Sequence, residues 1–183
     1  MKGRTIILDH IGDVEAAAYL VDGKLDDILI DHLDAPRPGA IFRGICDRPI
    51  KGQGGMMLRL PDGETAFLRQ GKGLRPGQAM LVQVTGYSEA GKAVPVTDRV
   101  LFKSRYAIVT PGKPGLNISR QITDEDTRDE LLALAHEVFD SQHGLILRSS
   151  CEGADETEIA EDIVAMLSLA DAVLADAEGS TPE

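Results

Sequence analysis

The stretch Gly55-Met56-Met57-Leu58-Arg59-Leu60-Pro61-Asp62-Gly63-Glu64-Thr65-Ala66-Phe67-Leu68-Arg69 decides the fold. Met56, Leu58 and Leu60 alternate with Met57 and Arg59, the period of two that sends one face of a strand to a core and the other to solvent. Pro61-Asp62-Gly63 is turn chemistry, so a second strand over 64–69 follows the first across a turn. Further short apolar runs over 40–46, 79–86 and 92–97 are set apart by glycine and proline and by the turn signal Glu89-Ala90-Gly91. Short strands spaced in this way predict a small antiparallel barrel. Pro95 cannot donate to a ladder, which places the last strand at an edge or a bulge.

On the N-terminal side, Thr5-Ile6-Ile7-Leu8, Val14 to Val21 and Leu25 to Ile30 are apolar runs, the last two separated by Asp22-Gly23. That pair is a strong hairpin signal, because the turn needs positive φ at its central residues. The piece is too small to bury itself alone, and Asp34-Ala35-Pro36-Arg37-Pro38-Gly39 reads as a linker. On the C-terminal side the period changes. A strand over Tyr106 to Thr110 and a loop lead to a helix opened by Thr123, with Leu131, Leu132, Ala135, Val138 and Phe139 on one face. The strand Leu145-Ile146-Leu147 precedes a second helix, with Asp155 as N-cap, Glu158 completing a capping box, and Ile159, Ile163, Leu167, Ala170 and Leu174 at helical spacing. The tail Ala177 to Glu183 reads as a linker start or a fraying end.

A net charge of −11 argues against a nucleic-acid partner until the chain is divided. Residues 1–35 carry 3 basic and 8 acidic side chains, residues 36–120 carry 14 and 5, and residues 121–183 carry 2 and 17. A basic middle between acidic flanks marks a polyanion-binding module, with a solvated basic face as the bland alternative. Cys46 and Cys151 stand far apart and form no CxxC pair, so plain reduced thiols are expected rather than zinc or a disulfide. No apolar run approaches a membrane span and no signal region opens the chain, so a cytoplasmic location with no membrane partner is expected.

Glu15 to Leu25, Ile41 to Gly44, Leu74 to Gln78, Tyr106 to Pro111, Ile118 to Ile122 and Gly144 to Ala154 together resemble the N-terminal region of the ribonuclease E/G family. Leu74-Arg75-Pro76-Gly77-Gln78 with Met80, Val82 and Val84 is similar to the entry of the fourth strand of S1 domains, which are OB-fold barrels. Glu15 to Leu25 and Ile41-Phe42-Arg43-Gly44 resemble the family's start. Tyr106-Ala107-Ile108-Val109-Thr110-Pro111, Ile118-Ser119-Arg120-Gln121-Ile122 and Gly144 to Ala154 resemble its 5′-sensor region. The resemblance implies an α+β chain: residues 1–35 as part of an RNase H-like subdomain, an inserted S1 RNA-binding barrel over 36–104, and a mixed α/β 5′-sensor domain over 105–183. The family's magnesium-holding aspartates and its zinc-linking cysteine motif, through which subunits associate, are not matched within these residues. The implied chain has no cofactor of its own and is inactive as a nuclease by itself.

The resemblance also implies sites. Arg148 and Ser149 are similar to the arginine and threonine that grip a 5′-monophosphate. The backbone near Ser104, the main-chain amide of Ile108, and Arg120 resemble further contacts there, while Gln121 stands where the family often has a second arginine. The bland alternative pairs Arg148 with a nearby carboxylate. On the barrel, Phe67 and Lys92 match S1 positions that stack a base and neutralise a phosphate, although a Phe in a strand is more often core. Met57 replaces the other stacking aromatic, or Met56 if the gap falls differently. Arg43, Arg59, Lys51, Arg69 and Lys72 are candidates to follow the RNA backbone.

Nucleotide-loop readings of Lys51-Gly52-Gln53-Gly54-Gly55 and Gln70-Gly71-Lys72-Gly73 fail on spacing. His136 and His143 lack a third ligand pattern, and the C-terminal carboxylates fall on polar helix faces. The reading is single-stranded RNA binding with 5′-monophosphate recognition for an endoribonuclease of RNA processing and decay. The alternatives are a stand-alone S1 RNA-binding or nuclease-regulating protein, and a barrel scaffold whose acidic helices bind protein.

Overall fold

The computed structural model describes residues 2–31, 36–50, 52, 54–89 and 91–183. They form two compact units, Met1–Arg37 and Pro38–Glu183. Lys51, together with Asp34, Ala35, Gln53 and Ala90 of the expected linker and loops, lies outside the described residues.

The first unit is a three-stranded antiparallel sheet of β1 (Arg4–Ile11), β2 (Val14–Val21) and β3 (Lys24–Ile30). The Asp22-Gly23 hairpin forms as expected, with φ of 52° and 77° at the two turn residues, the pair of positive values that matches a turn to the twist of its strands. No described residue of this unit is buried, and Leu8 and Ile6 are 78% and 67% exposed.

In the second unit, β4 (Ile41–Ile50), β5 (Gly55–Arg59), β6 (Thr65–Leu68), β7 (Ala79–Val84) and β8 (Val94–Thr97) close a barrel in the order β4-β5-β6-β8-β7. The expected fully antiparallel barrel needs one correction: β6 and β8 run parallel. Five strands cannot alternate direction around a closed ring, so one neighbouring pair must share its direction. Pro95 is likewise not at an edge, because β8 lies between β6 and β7. The β7 ladder stops at Val84 opposite Val96, and one step further the Thr85 amide donates to the Pro95 carbonyl at 2.9 Å. The return bond, which proline cannot make, is the one forgone. Met56, Leu58 and Leu60 point inward with Cys46, Ala66, Leu68, Val82, Val84, Val94 and Val96. The alternation of the opening stretch is therefore the alternation of the barrel wall.

A mixed layer follows, made of β9 (Phe102–Lys103), β10 (Ala107–Thr110), β11 (Gly115–Ile118), α1 (Glu125–Val138), β12 (Gly144–Leu147) and α2 (Glu156–Ala175). The sheet order is β11-β12-β10-β9, with β11 and β12 parallel across the α1 crossover. α2 packs on β9 and β10, α1 on β11, and the helices on each other. Leu131, Ala135, Ile159, Ile163 and Ala170 enter a core with Val109, Leu145 and Leu147, and Ile41 and Leu81 of the barrel pack against it.

The first helix is capped by Asp124 rather than opened by Thr123: the Asp124 carboxylate accepts from the Thr127 amide at 2.8 Å and from the Thr127 hydroxyl at 2.7 Å. The second starts at the expected Asp155, which takes the amides of Thr157 and Glu158. The tail does not fray. Glu183 and Arg43 exchange main-chain bonds of 2.7 and 3.1 Å, which brings the tail back onto β4. Both cysteines are free and buried, and burial raises both thiol pKa values. No helix among the described residues is long and apolar enough to cross a membrane.

Candidate functional site

Arg148 leaves the sheet where three strands end together. Leu147, the last residue of β12, pairs with Ile118, the last of β11, and with Ala107, the first of β10. The segments 104–106, 119–120 and 148–149 therefore emerge at one end of the sheet. Main-chain bonds tie them: Arg148 N donates to the Tyr106 carbonyl at 2.8 Å, and Ser119 N to the Leu147 carbonyl at 2.8 Å. The Arg148 guanidinium donates to the Ser104 carbonyl, and Ser150 Oγ to the Arg105 carbonyl. Arg148 also serves as the extended N-cap of a 3₁₀ turn, Ser149–Cys151, whose first hydroxyl is exposed.

Acidic residues of α2 hold this end in place, a role hidden by their position on a helix face that reads as merely solvated. Asp162 accepts from Ser104 Oγ and, at 3.0 Å, from the Tyr106 amide. Glu158 accepts from the Tyr106 hydroxyl at 2.7 Å, and this bond, reinforced by burial, raises the Tyr106 pKa. Glu158 thus bonds to Tyr106 instead of closing the expected capping box. Across the sheet, Arg128 of α1 donates to the carbonyls of Ser119 and Ile122 at 3.2 and 3.0 Å, fixing the turn that carries Arg120 and Gln121. Arg105 lies 5.0 Å over the Tyr106 ring. Among the described residues no ion pair includes Arg105, Arg120 or Arg148, so the bland pairing of Arg148 with a carboxylate is absent there. Ile108 is one step inside the ladder, between Lys103 and Ile146.

The barrel carries the second cluster. Met57 and Phe67 are directly paired across β5 and β6 on the outer face, both half-buried, while Met56 is 1% exposed and belongs to the core. Phe67 is therefore not core, against the usual tendency of a strand Phe, and Met57 rather than Met56 is its neighbour. The Phe67 ring lies over Gly55, where any Cβ would meet it. Arg59, Arg69 and Lys72 are exposed. Lys92, in the β7–β8 loop, pairs with Glu89 at 2.6 Å.

Arg43 is placed apart from both clusters. It is only 9% exposed, and its guanidinium donates to the carbonyls of Asp176, Glu178 and Thr181 and to the Glu183 carboxylate. His143 accepts from the Gly112 amide at 3.2 Å and contacts Asp171 at 3.1 Å, joining a loop to α2.

These features define an α+β chain with an OB-like closed barrel followed by a mixed sheet whose strand ends gather cations. Residues 102–183 match the profile of the Ribonuclease E/G family. Ribonuclease G of Escherichia coli is 34% identical over 170 residues, covering 79% of this chain and 35% of that protein. Ribonuclease E of Synechocystis sp. is 34% identical over 160 residues, covering 84% and 21%, and ribonuclease E of Nostoc sp. is 36% identical over 90 residues, covering 49% and 13%. This chain belongs to the ribonuclease E/G family. It spans about a third, or less, of the length of these relatives.

Proposed function

We propose that the chain binds single-stranded RNA on the barrel and recognises a 5′-monophosphate at the sheet end, serving a ribonuclease E/G-type endoribonuclease. In this reading residues 36–104 act as the S1 domain, residues 105–183 as the 5′ sensor, and residues 1–35 as part of the RNase H-like subdomain. Magnesium-dependent cutting is assigned to segments other than these. The observation that carries the proposal is the convergence of Arg148, Ser149, Arg105 and Arg120 at one sheet end without carboxylate partners among the described residues. An arginine fork with an adjacent hydroxyl suits phosphate oxygens, because a guanidinium donates along two parallel directions.

The test is a titration of otherwise identical 5′-monophosphate and 5′-hydroxyl oligoribonucleotides at one fixed salt concentration. Wild type is expected to prefer the monophosphate by several-fold to about tenfold, one decade corresponding to about 1.4 kcal/mol. Arg148→Ala should erase the preference while leaving 5′-hydroxyl RNA nearly unaffected. Equal affinities in the wild type would refute 5′ recognition by this chain.

A further inference from the structure

The hollow between the barrel and the mixed layer has a volume of about 650 Å³, within the range of small-ligand sites. Its wall is apolar where Leu101, Phe102, Met166 and Leu169 line it, and among the described residues on it Arg99 and Lys103 are the charged ones. Although the chain has a net charge of −11, no carboxylate is among the described residues that line this opening. Apolar surface beside two cations complements an unstacked base flanked by phosphates, because the ring faces are apolar and the backbone is anionic.

The hollow adjoins the Phe67 cluster, and its Lys103 stands one residue from the sheet-end cluster. A second hollow of about 440 Å³, lined by Phe67, Arg69 and one carboxylate, Asp98, shares Thr85, Thr97 and Arg99 with it. At the other end, Lys103 pairs with Ile108 and directly precedes Ser104, whose carbonyl receives Arg148. Among the described residues no ion pair engages Arg69, Arg99 or Lys103.

The wall is also fixed beforehand. Gln83 of β7, 9% exposed, donates to the Leu101 carbonyl at 2.9 Å and to the Gly39 carbonyl at 3.0 Å, and it accepts from the Leu101 amide at 3.0 Å. The NH2 and the carbonyl oxygen of one side chain both bond to Leu101, in the segment that carries Arg99 and Lys103. A wall ordered in advance loses less conformational freedom on binding.

We propose that this hollow is a further nucleotide-binding site, through which single-stranded RNA passes between the Phe67 face and the sheet end, with Arg99 and Lys103 as its phosphate contacts. The proposal rests on the RNA-binding reading, and the test separates the two. A 5′-monophosphorylated 12-nucleotide RNA labelled at its 3′ end is titrated over a salt series against wild type, Arg99→Ala/Lys103→Ala, and Arg99→Lys/Lys103→Arg. Thermal unfolding checks that each variant is folded.

The alanine pair is expected to weaken binding about tenfold and to reduce the log-log salt slope by about 1.4, since each single-strand phosphate contributes about 0.7. The swapped pair should keep the slope, and the preference for monophosphate over hydroxyl should survive in both variants. In addition, 4-thiouridine RNA should crosslink to the peptides carrying Met166 or Leu169. Wild-type binding with unchanged affinity and slope in the alanine pair would overturn the site while leaving RNA binding intact. No salt-dependent binding by wild type would overturn both.

Discussion

At the scale of single residues, the side chains that matter most to local geometry are those that satisfy main-chain groups. Arg43 does this for a tail, Gln83 for a connecting segment, and Asp124 for a helix start. Asp124 also makes a pH prediction. Bonds from the Thr127 amide and hydroxyl favour its charged form and lower its pKa below the ordinary carboxylate value. A group lowered on folding contributes stability that is complete above its unfolded pKa of about 3.9, and that contribution is lost as pH falls through the folded value. Asp124→Asn keeps an acceptor at the cap but does not titrate. Thermal unfolding followed from about pH 6 to about pH 2 should show wild type losing more of its stability than the variant at the acid end. Parallel curves would show that the cap carboxylate contributes nothing to acid sensitivity.

At the scale of elements, the Met57–Phe67 pair gives the clearest expectation. Its ring is seated on Gly55 and faces outward, so Phe67→Ala should remove about 1 to 3 kcal/mol of base stacking. That is roughly fivefold to a hundredfold in affinity. Because no charge is removed, the salt slope should stay constant in the same titration series; a changed slope would assign Phe67 a different role. The strands around this pair were legible in the sequence, because each alternates between a closed core and solvent, and the Asp22-Gly23 turn and Asp155 cap were legible because their chemistry is local. β11 was not. Gly115-Leu116-Asn117-Ile118 has a single polar interruption, follows a Pro- and Gly-rich loop, and finds its parallel partner only beyond α1. Parallel pairing requires such a crossover and leaves no signature at short range. The same distance hid the supports of the candidate site. Arg148 and Ser149 could be placed just past a strand, but the bonds of Arg148 to Ser104, and of Asp162 to Ser104 and Tyr106, join segments 44 to 58 positions apart. The occupation of Arg43 by the tail, at separations of 133 to 140, was hidden for the same reason.

At the scale of the whole molecule, the two units differ in what holds them. Pro38–Glu183 contains two buried clusters, one in the barrel and one between the mixed sheet and its helices. Met1–Arg37 has three well-registered strands but no buried described residue, and Ile6, Ile7, Leu8, Ile11, Leu25, Ile28, Leu29 and Ile30 remain exposed. Ladder bonds alone contribute little net stability, since the unfolded strands would bond to water, and isolated small sheets depend on a packed face. Burial contributes about 25 cal/mol for each Å² of apolar surface, and this sheet, part-buried along β2 and exposed along β3, gains little of it. Opening β1 to β3 should therefore cost far less than global unfolding, even in the folded chain. Native-state amide exchange at rising denaturant is the measurement. Amides of β1, β2 and β3 should exchange early and with little denaturant dependence, whereas those of β5, β10 and β12 should persist until global unfolding, because Met56, Leu58, Ala107, Val109, Leu145 and Leu147 on them are at most 1% exposed. Equal protection in the two sets would mean that the apolar surface of the first sheet is covered in solution, and that a packed face, rather than its ladder, holds it.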